Sequence, residues 1–245
     1  MNRRFADDET ASRPITLQPW LAHFCRYVPV VRADRGAEGV HQLRIAIARI
    51  RVWLELGGWR ILHDDLRELR RIAGAVRDVD VRLGYVVPSE SDYASALVAE
   101  RGRAQTALAS ALEAARVERV VAALRNLPPV SPRRARRVLR TFAHEAVRRG
   151  RSLEWDHYAA LHAFRRIVRR VRFSLEWLGR SAPRFVEAQK RLGDACDAWI
   201  DLRGVARLPL VPRGYEREQK RRLTATTDLA RRSWHDCRTD MDALT

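Results

Sequence analysis

Apolar residues recur at helical spacing along almost the whole chain. Between the turn signals no run of β-branched residues alternates with polar ones, so we predict no strand. Glycine and proline separate the periodic segments. The pattern predicts an all-α fold of eight helices, at about residues 14–32, 38–56, 63–86, 89–126, 132–150, 156–179, 183–204 and 215–243.

Local signals define several helix ends. Pro29 is expected to end or bend the first helix. Ser131 and Pro132 together predict a helix start, with serine as the N-cap, and Asp156 is expected to cap the sixth helix. Gly74 lies inside the third helix, where glycine costs about 1 kcal/mol against alanine, so we expect a close approach by another helix there.

The eight helices form two similar halves of four. The clearest linker is the proline-rich segment 127–132, with the sequence LPPVSP. We predict a disordered N-terminus at residues 1–13 and one internally duplicated domain over the rest of the chain. Its boundaries are 14–240, with a first half at 14–127 and a second half at 132–240.

One segment occurs twice, in the second predicted helix of each half. Residues 40–51 read VHQLRIAIARIR and residues 161–172 read LHAFRRIVRRVR, about 121 positions later. In both, a histidine is followed by arginine at the third, eighth and tenth positions after it. The apolar residues between them keep the same phase in both copies. Such agreement disfavours an ordinary solvated basic face, which would not repeat in register.

On a helix this spacing separates cations from apolar residues. At about 100° per residue, His41, Arg44, position 48 and Arg51 fall within a sector of about 80°, with the apolar side chains opposite. The second copy has Arg169 where the first has Ala48. We therefore expect each helix to present a polar row of guanidinium groups, and the first half to bind anions more weakly.

Four segments together resemble the CHAD domain, the conserved-histidine α-helical domain. They are the two His-Arg helices, GAVRDVDV at residues 74–81 and LGDACD at residues 192–197, in the order found in that family. The resemblance covers about residues 14–240. It implies two pseudo-symmetric four-helix bundles, packed side by side, with inorganic polyphosphate bound in a basic groove or channel between them. Ala73 departs from the leucine that the family has before Gly74.

The charge of the chain agrees with a polyanionic partner. The formal net charge is +17, and only Lys190 and Lys220 are lysines, so arginine supplies nearly all the positive charge. Arginine holds phosphate oxygens with two parallel N–H groups. An arginine-rich genome would raise the arginine content but would not explain where the arginines lie. A thin, flexible polyphosphate fits between packed helices better than duplex DNA does.

We predict a non-enzymatic, polyphosphate-binding protein, with a nucleic-acid-binding, nucleoid-type protein as the alternative. Sulfate or phosphate ions should occupy the same site, and nucleic acid should act only as a competitor. The candidate binding residues are His41, Arg44, Arg49, Arg51, Arg67, Arg77, His162, Arg165, Arg166, Arg169, Arg170 and Arg172. Asp78 and Asp197 are expected to hold arginine side chains in place rather than to catalyse.

One question about these residues stays open at the level of sequence. His41 and His162 are either phosphate contacts or packing residues, and near arginines a histidine pKa should fall.

We expect no cofactor and no metal, because no phosphate loop, nucleophile motif or thiolate pair is present. Three widely spaced cysteines and the lack of a long apolar run predict a cytoplasmic protein without a membrane partner. Association with polyphosphate granules is compatible with this location.

Overall fold

The computed structural model of the protein describes residues 13–84, 92–205 and 214–245. The chain divides into two compact units, one formed by Thr16–Pro128 and the other by Pro129–Thr245 together with the segment that ends at Ile15. The predicted disordered segment 1–13 lies outside the described residues except for Arg13, as does most of the expected loop between the seventh and eighth predicted helices.

The unit 16–128 contains five helices in its described residues. The helices are α1 (Gln18–Arg32), α2 (Ala37–Gly57), α3 (His63–Leu83), α4 (Asp92–Ala111) and α5 (Ala114–Arg125). Helix α1 packs on α2 and α4, α2 packs on α3, and α3 packs on α4, so four helices close a ring, while α5 packs on α1. The core is formed by the apolar faces that the helical period defines.

The other unit repeats the ring with four helices among its described residues. The helices are α6 (Pro132–Arg151), α7 (Tyr158–Trp177), α8 (Pro183–Val205) and α9 (Tyr215–Asp242). Helix α6 packs on α7 and α9, α7 packs on α8, and α8 packs on α9. In the same unit, Ile15 and Val130 exchange two backbone hydrogen bonds of 2.9 and 3.0 Å. The predicted all-α fold is confirmed.

The first helix begins later than predicted but ends at Arg32, as predicted. It begins at Gln18 rather than Pro14, because the backbone of Ile15 forms hydrogen bonds with the backbone of Val130 and not with the helix. Pro29 does not end it, and the helix continues to Arg32. Proline removes a single backbone donor, and burial of Val28 and Val31 on either side holds this last turn in place.

The predicted helix at 89–126 is two helices. The break at Leu112 and Glu113 carries no glycine or proline, so no local signal marks it. The amide of Glu113 bonds to the carbonyl of Ser110, and Glu113 then adopts an extended backbone with ψ 142°. Leu112 is fully buried at the turn. Burial of this leucine therefore redirects the chain and lets α5 contact α1.

Two caps also differ from prediction. Pro132 begins α6, and Ser131 occupies the N-cap position, but its side chain makes no capping hydrogen bond. The cap of α7 is His157, not Asp156, so the helix begins one residue later than expected. In both cases the helix start is held by the backbone bond that the cap carbonyl accepts, from Ala135 and Leu161 respectively.

Helix α2 is buried on more sides than a two-sided amphipathic helix would be. Val40, Ala48 and Val52 lie on or beside the predicted polar sector, and all three are buried. The predicted row of His41, Arg44 and Arg51 is therefore flanked by buried positions in this helix. Its arginines are half-buried side chains that extend from between buried positions.

Candidate functional site

The guanidinium group of Arg44 lies against the backbone of Gly74. Its Nη1 donates a hydrogen bond of 3.3 Å to the carbonyl oxygen of Gly74 and lies 3.9 Å from a carboxylate oxygen of Asp78. A Cβ atom at position 74 would lie 3.6 Å from the same nitrogen. Thus α3 offers the arginine a bare strip of backbone, and the side chain stays 24% exposed. Among the described residues, the neighbour of Gly74 is this side chain and not the closely packed helix that the sequence predicted.

His41 and Arg77 lie beside Arg44 in the same unit. Burial lowers the pKa of His41 most, and the positive charge of Arg77 lowers it further; Glu38 raises it, and Arg44 lowers it with the smallest effect. The direction agrees with the sequence-based expectation. We call His41, Arg44, Arg77 and Asp78 the first cluster. Its histidine is mainly neutral near pH 7 and still carries one N–H donor.

Arg165 occupies the matching place in the other unit, against Gly193 of α8. A Cβ atom at position 193 would lie only 2.9 Å from Nη2 of Arg165 and 3.3 Å from its Cζ. The Nε of Arg165 is buried and makes no hydrogen bond among the described residues. Its contact with glycine is therefore tighter than that of Arg44, and a Cβ atom at position 193 would displace the guanidinium group.

Cys196 and Asp197 complete this second cluster with Arg165. Burial raises the pKa of the Cys196 thiol to about 11, although the charge and a hydrogen bond of Arg165 act in the opposite direction. The negative charge of Asp197 also raises that pKa, so the carboxylate lies close by. Three residues after its glycine, the second cluster has a thiol where the first has the guanidinium of Arg77.

His162 has a packing partner. Its ring stacks on that of Tyr158, with 5.7 Å between the centroids and 17° between the planes. The ring of Tyr158 in turn lies 6.4 Å from that of Trp199. The guanidinium carbon of Arg203 lies over the Tyr158 ring, 5.1 Å from its centroid. The aromatic contacts hold His162 in place, so the structure favours the packing interpretation for this histidine more than for His41.

Arg49 and Arg170 extend toward a different neighbour. Arg49 lies over the ring of Trp20 in α1 at 4.1 Å, and Arg170 lies over the ring of Phe142 in α6 at 3.9 Å. Arg170 also forms an ion pair of 3.3 Å with Glu145. On a helix these positions are about 140° from Arg44 and Arg165. The structure therefore does not bring them into the two clusters.

The remaining predicted residues lie around the clusters or apart from them. Arg51 and Arg169 are half-buried on α2 and α7, and Arg166 is exposed. Arg172 donates a hydrogen bond of 2.7 Å to Glu176. Arg67 is exposed and forms an ion pair of 2.7 Å with Asp64 in the first turn of α3. Arg51 and Arg172 share the helical sector of Arg44 and Arg165.

Two buried carboxylates have arginine partners that the sequence did not identify. Asp80 is 5% exposed and accepts a 2.8 Å hydrogen bond from Arg101, which also binds Asp34 through two bonds of 2.8 Å. In the other unit, Asp201 is 4% exposed and accepts a 2.6 Å bond from Arg222. Each pair joins the third helix of its ring to the fourth, so these residues hold the fold rather than a ligand.

Other kinds of site find little support in the described part of the chain. No group of three or more histidine, cysteine, aspartate or glutamate side chains there is placed to hold a metal ion. Nor does any helix among those residues have the length and apolar content needed to cross a membrane.

The family of the chain follows from a comparison with protein-family models. The model for the CHAD domain matches residues 16–208, which is most of the sequence. The chain belongs to the CHAD domain family. Proteins of this family are known to bind polyphosphate. No curated protein matches the sequence.

Two solved structures share the CHAD fold with this chain. The CHAD domain from the plant Ricinus communis is 20% identical, with a TM-score of 0.65 and coverage of 96% of this chain and 91% of that one. PptA from Streptomyces chartreusis is 17% identical, with a TM-score of 0.68 and coverage of 92% of this chain and 98% of that one. At such identities the likeness concerns the fold.

Both cluster glycines lie in the segments that resembled the CHAD motifs, and they should differ in their response to alanine. Gly193→Ala places a methyl group against Arg165 and should weaken polyphosphate binding about tenfold, the value of one displaced charged hydrogen bond. Gly74→Ala introduces only ordinary contact and should change binding less than about twofold. The measurement is a binding titration with labelled polyphosphate.

Thermal melts control for folding in this pair. Alanine raises helix propensity by up to about 1 kcal/mol, so neither variant should be less stable through its backbone. Equal affinities for the two variants would show that contact with Gly193 does not position Arg165.

Proposed function

We propose that this protein is a non-enzymatic binder of inorganic polyphosphate and that the two arginine clusters make its main contacts with phosphate. The observation that carries the proposal is the placement of Arg44 and Arg165, each against a glycine of the next helix, with Arg44 also 3.9 Å from Asp78. Such support restricts the guanidinium group before a ligand arrives, which reduces the entropy lost on binding. Family membership supports the same ligand.

The chemistry of the clusters supports binding without catalysis. Cys196 is the nucleophile in the second cluster, and a pKa of about 11 keeps its thiol protonated near neutral pH. In the first cluster the pKa of His41 is lowered by burial and by cations, and the one carboxylate, Asp78, lies near Arg44. Arginines placed in this way stabilise phosphate oxygens but do not transfer protons. The protein would then act where polyphosphate accumulates, in the cytoplasm and at granules.

The relative strength of the two clusters is part of the proposal. Ala48 removes one cation from the first helix, which favours the second cluster. Arg77 has the opposite effect, because it adds a second cation beside Arg44 in the first cluster, whereas the second cluster has Cys196 at the matching position. Inorganic phosphate and sulfate should compete weakly at both clusters, since a single ion cannot span several arginines.

Binding should strengthen as the pH falls, through His41. In the protein without ligand, the pKa of His41 lies below its ordinary value of 6.5, mainly because of burial and then because of Arg77. Bound phosphate oxygens add negative charge, so the pKa must be higher in the complex, and the complex takes up protons as pH falls below about 7. Affinity for polyphosphate should rise about threefold between roughly pH 7.5 and pH 5.5.

The variant His41→Gln tests this linkage. It should bind with an affinity that changes little over the same pH range, because glutamine keeps an N–H donor but does not titrate. His144→Gln, at an exposed position on α6 outside both clusters, should behave as wild type. If His41→Gln keeps the whole pH dependence, His41 does not contact the ligand.

A further inference from the structure

The exposed face of α6 carries a row of cations that the polyphosphate clusters do not use. At about 100° per residue, six basic residues spaced three or four apart fall within about 80° of one another. All six are exposed. The first and last lie 18 positions apart, or about 27 Å at about 1.5 Å per residue. We call this row the arginine stripe: Arg133, Arg137, Arg140, His144, Arg148 and Arg151.

The arginine stripe has no internal neutralisation. The one acidic residue of α6, Glu145, pairs with Arg170 of α7 on another side of the helix. In the described part of the chain, none of the five arginines of the stripe forms an ion pair or a side-chain hydrogen bond. Like charges three and four residues apart destabilise a helix, and solvated helix faces usually mix the two signs. The row therefore has a cost that a ligand would offset.

The fold does not require this stripe. Helix α1 has the corresponding place in the ring of the other unit, packed on its second and fourth helices, and its basic residues are His23, Arg26 and Arg32 alone. The opposite face of α6 supplies the core, with Leu139 and Phe142 among its buried residues. The stripe is thus a feature of one half only, outside the repeated pattern.

The chemistry of the face indicates the kind of polyanion. A flexible polyphosphate chain would lose conformational entropy on an open, convex helix that offers no second wall, whereas a nucleic-acid duplex is already rigid. Single strands are bound through exposed aromatic rings, and the aromatic residue of α6, Phe142, is buried under Arg170. Helices that lie on membranes bury an apolar face, but the buried apolar face of α6 is already in the core.

We propose that the arginine stripe of α6 binds the phosphate backbone of duplex nucleic acid without regard to sequence, as a function separate from polyphosphate binding. Arginine is suited to phosphate contacts that position a protein on a duplex, and the stripe has no exposed amide or carboxylate to read base edges. The protein could then hold polyphosphate and a duplex at the same time. This inference does not depend on the clusters, and each can fail without the other.

The test compares two variants with equal loss of charge. The stripe variant replaces Arg133, Arg137, Arg140, Arg148 and Arg151 by glutamine. The control variant replaces five exposed arginines of the other unit that have no ion pair among the described residues: Arg26, Arg32, Arg60, Arg103 and Arg125. The probe is a labelled duplex DNA of about 20 base pairs, longer than the stripe at about 3.4 Å per base pair, titrated between about 50 and 200 mM salt.

We expect the stripe variant to bind the duplex roughly 30-fold more weakly at about 100 mM salt, with the slope of log K against log salt reduced by about 4. The control variant should lose about threefold or less, through long-range attraction alone. Polyphosphate binding should be unchanged in the stripe variant. Melting curves establish whether both variants are folded. If the five-residue stripe variant is unfolded, the smaller variant R140Q/R148Q gives the same comparison.

Three results would overturn the proposal. Equal losses in the stripe and control variants would mean that net charge alone attracts the duplex. Loss of polyphosphate and duplex binding together in the stripe variant would make the stripe a general polyanion face. Loss of binding to anionic phospholipid vesicles, with duplex binding intact, would identify a membrane surface as the partner instead.

Discussion

Replacing Arg165, Arg169 and Arg172 together by glutamine should weaken polyphosphate binding at least about a hundredfold, because each guanidinium–phosphate hydrogen bond contributes roughly 1.5–3 kcal/mol. Arg165 is the residue of the second cluster that lies against Gly193, and Arg169 and Arg172 continue along the same side of α7. The measurement is the fluorescence anisotropy of labelled long-chain polyphosphate, with circular dichroism as the check on folding.

The control for this variant removes the same charge from the same unit. Replacing Arg137, Arg140 and Arg148 of α6 by glutamine should leave polyphosphate affinity within about threefold of wild type, because these exposed arginines lie outside the clusters. A double variant at Arg44 and Arg77 then compares the first cluster with the second. Wild-type affinity in the triple variant at Arg165, Arg169 and Arg172 would remove the second cluster from the site.

Phe164→Ala should have the largest effect on stability, a loss of about 3–5 kcal/mol in the free energy of unfolding. The side chain is 1% exposed, and its ring meets that of Trp234 edge-on, with 4.8 Å between centroids and 90° between planes. Removal of the ring leaves a cavity that the tight contact between Trp234 and Gly150 prevents from closing. Urea-induced unfolding, followed by tryptophan fluorescence, measures the change.

Val186→Ala is the matched control for that measurement. Val186 is 39% exposed on α8 of the same unit, so its truncation should cost less than about 0.5 kcal/mol. A loss below about 1 kcal/mol for Phe164→Ala would show that α7 is not held by this aromatic contact. Since α7 also positions Arg165, the destabilised variant should be tested for binding only under conditions where it is folded.

The sequence predicts most of the fold because the helical period of buried residues is local. The phase of Leu43 and Phe164 against their neighbouring arginines identified α2 and α7 correctly, and both face the core as expected. The break at Leu112 and Glu113 was missed because no residue there disfavours a helix. It depends on the burial of Leu112, which is a property of the folded unit.

For the site, the sequence identified cations but not their neighbours. Arg44 and Arg165 belong to the clusters, while Arg49 and Arg170, chosen by the same spacing, lie over Trp20 and Phe142. The difference depends on which aromatic ring the adjacent helix presents, and that requires the tertiary arrangement. One sign was available: arginines at the third and eighth positions after a histidine point in directions about 140° apart.

The partner of a buried carboxylate was equally beyond local patterns. Asp78 was expected to hold an arginine and lies 3.9 Å from Arg44, whereas Asp80, two residues on, holds Arg101 of α4. The two carboxylates diverge by about 200° on α3, so they serve different surfaces. The sequence alone could name acidic residues in a basic motif but could not assign a cation to each.

The central claim, that the clusters form a selective polyphosphate site, is tested most directly by competition. Labelled long-chain polyphosphate is bound to the wild-type protein at about 150 mM salt, then challenged with unlabelled polyphosphate or single-stranded RNA at equal phosphate concentration. The account predicts displacement by polyphosphate and little displacement by RNA. Equal displacement by both would contradict it, because binding would then reflect the net charge of +17 and not the placement of particular arginines.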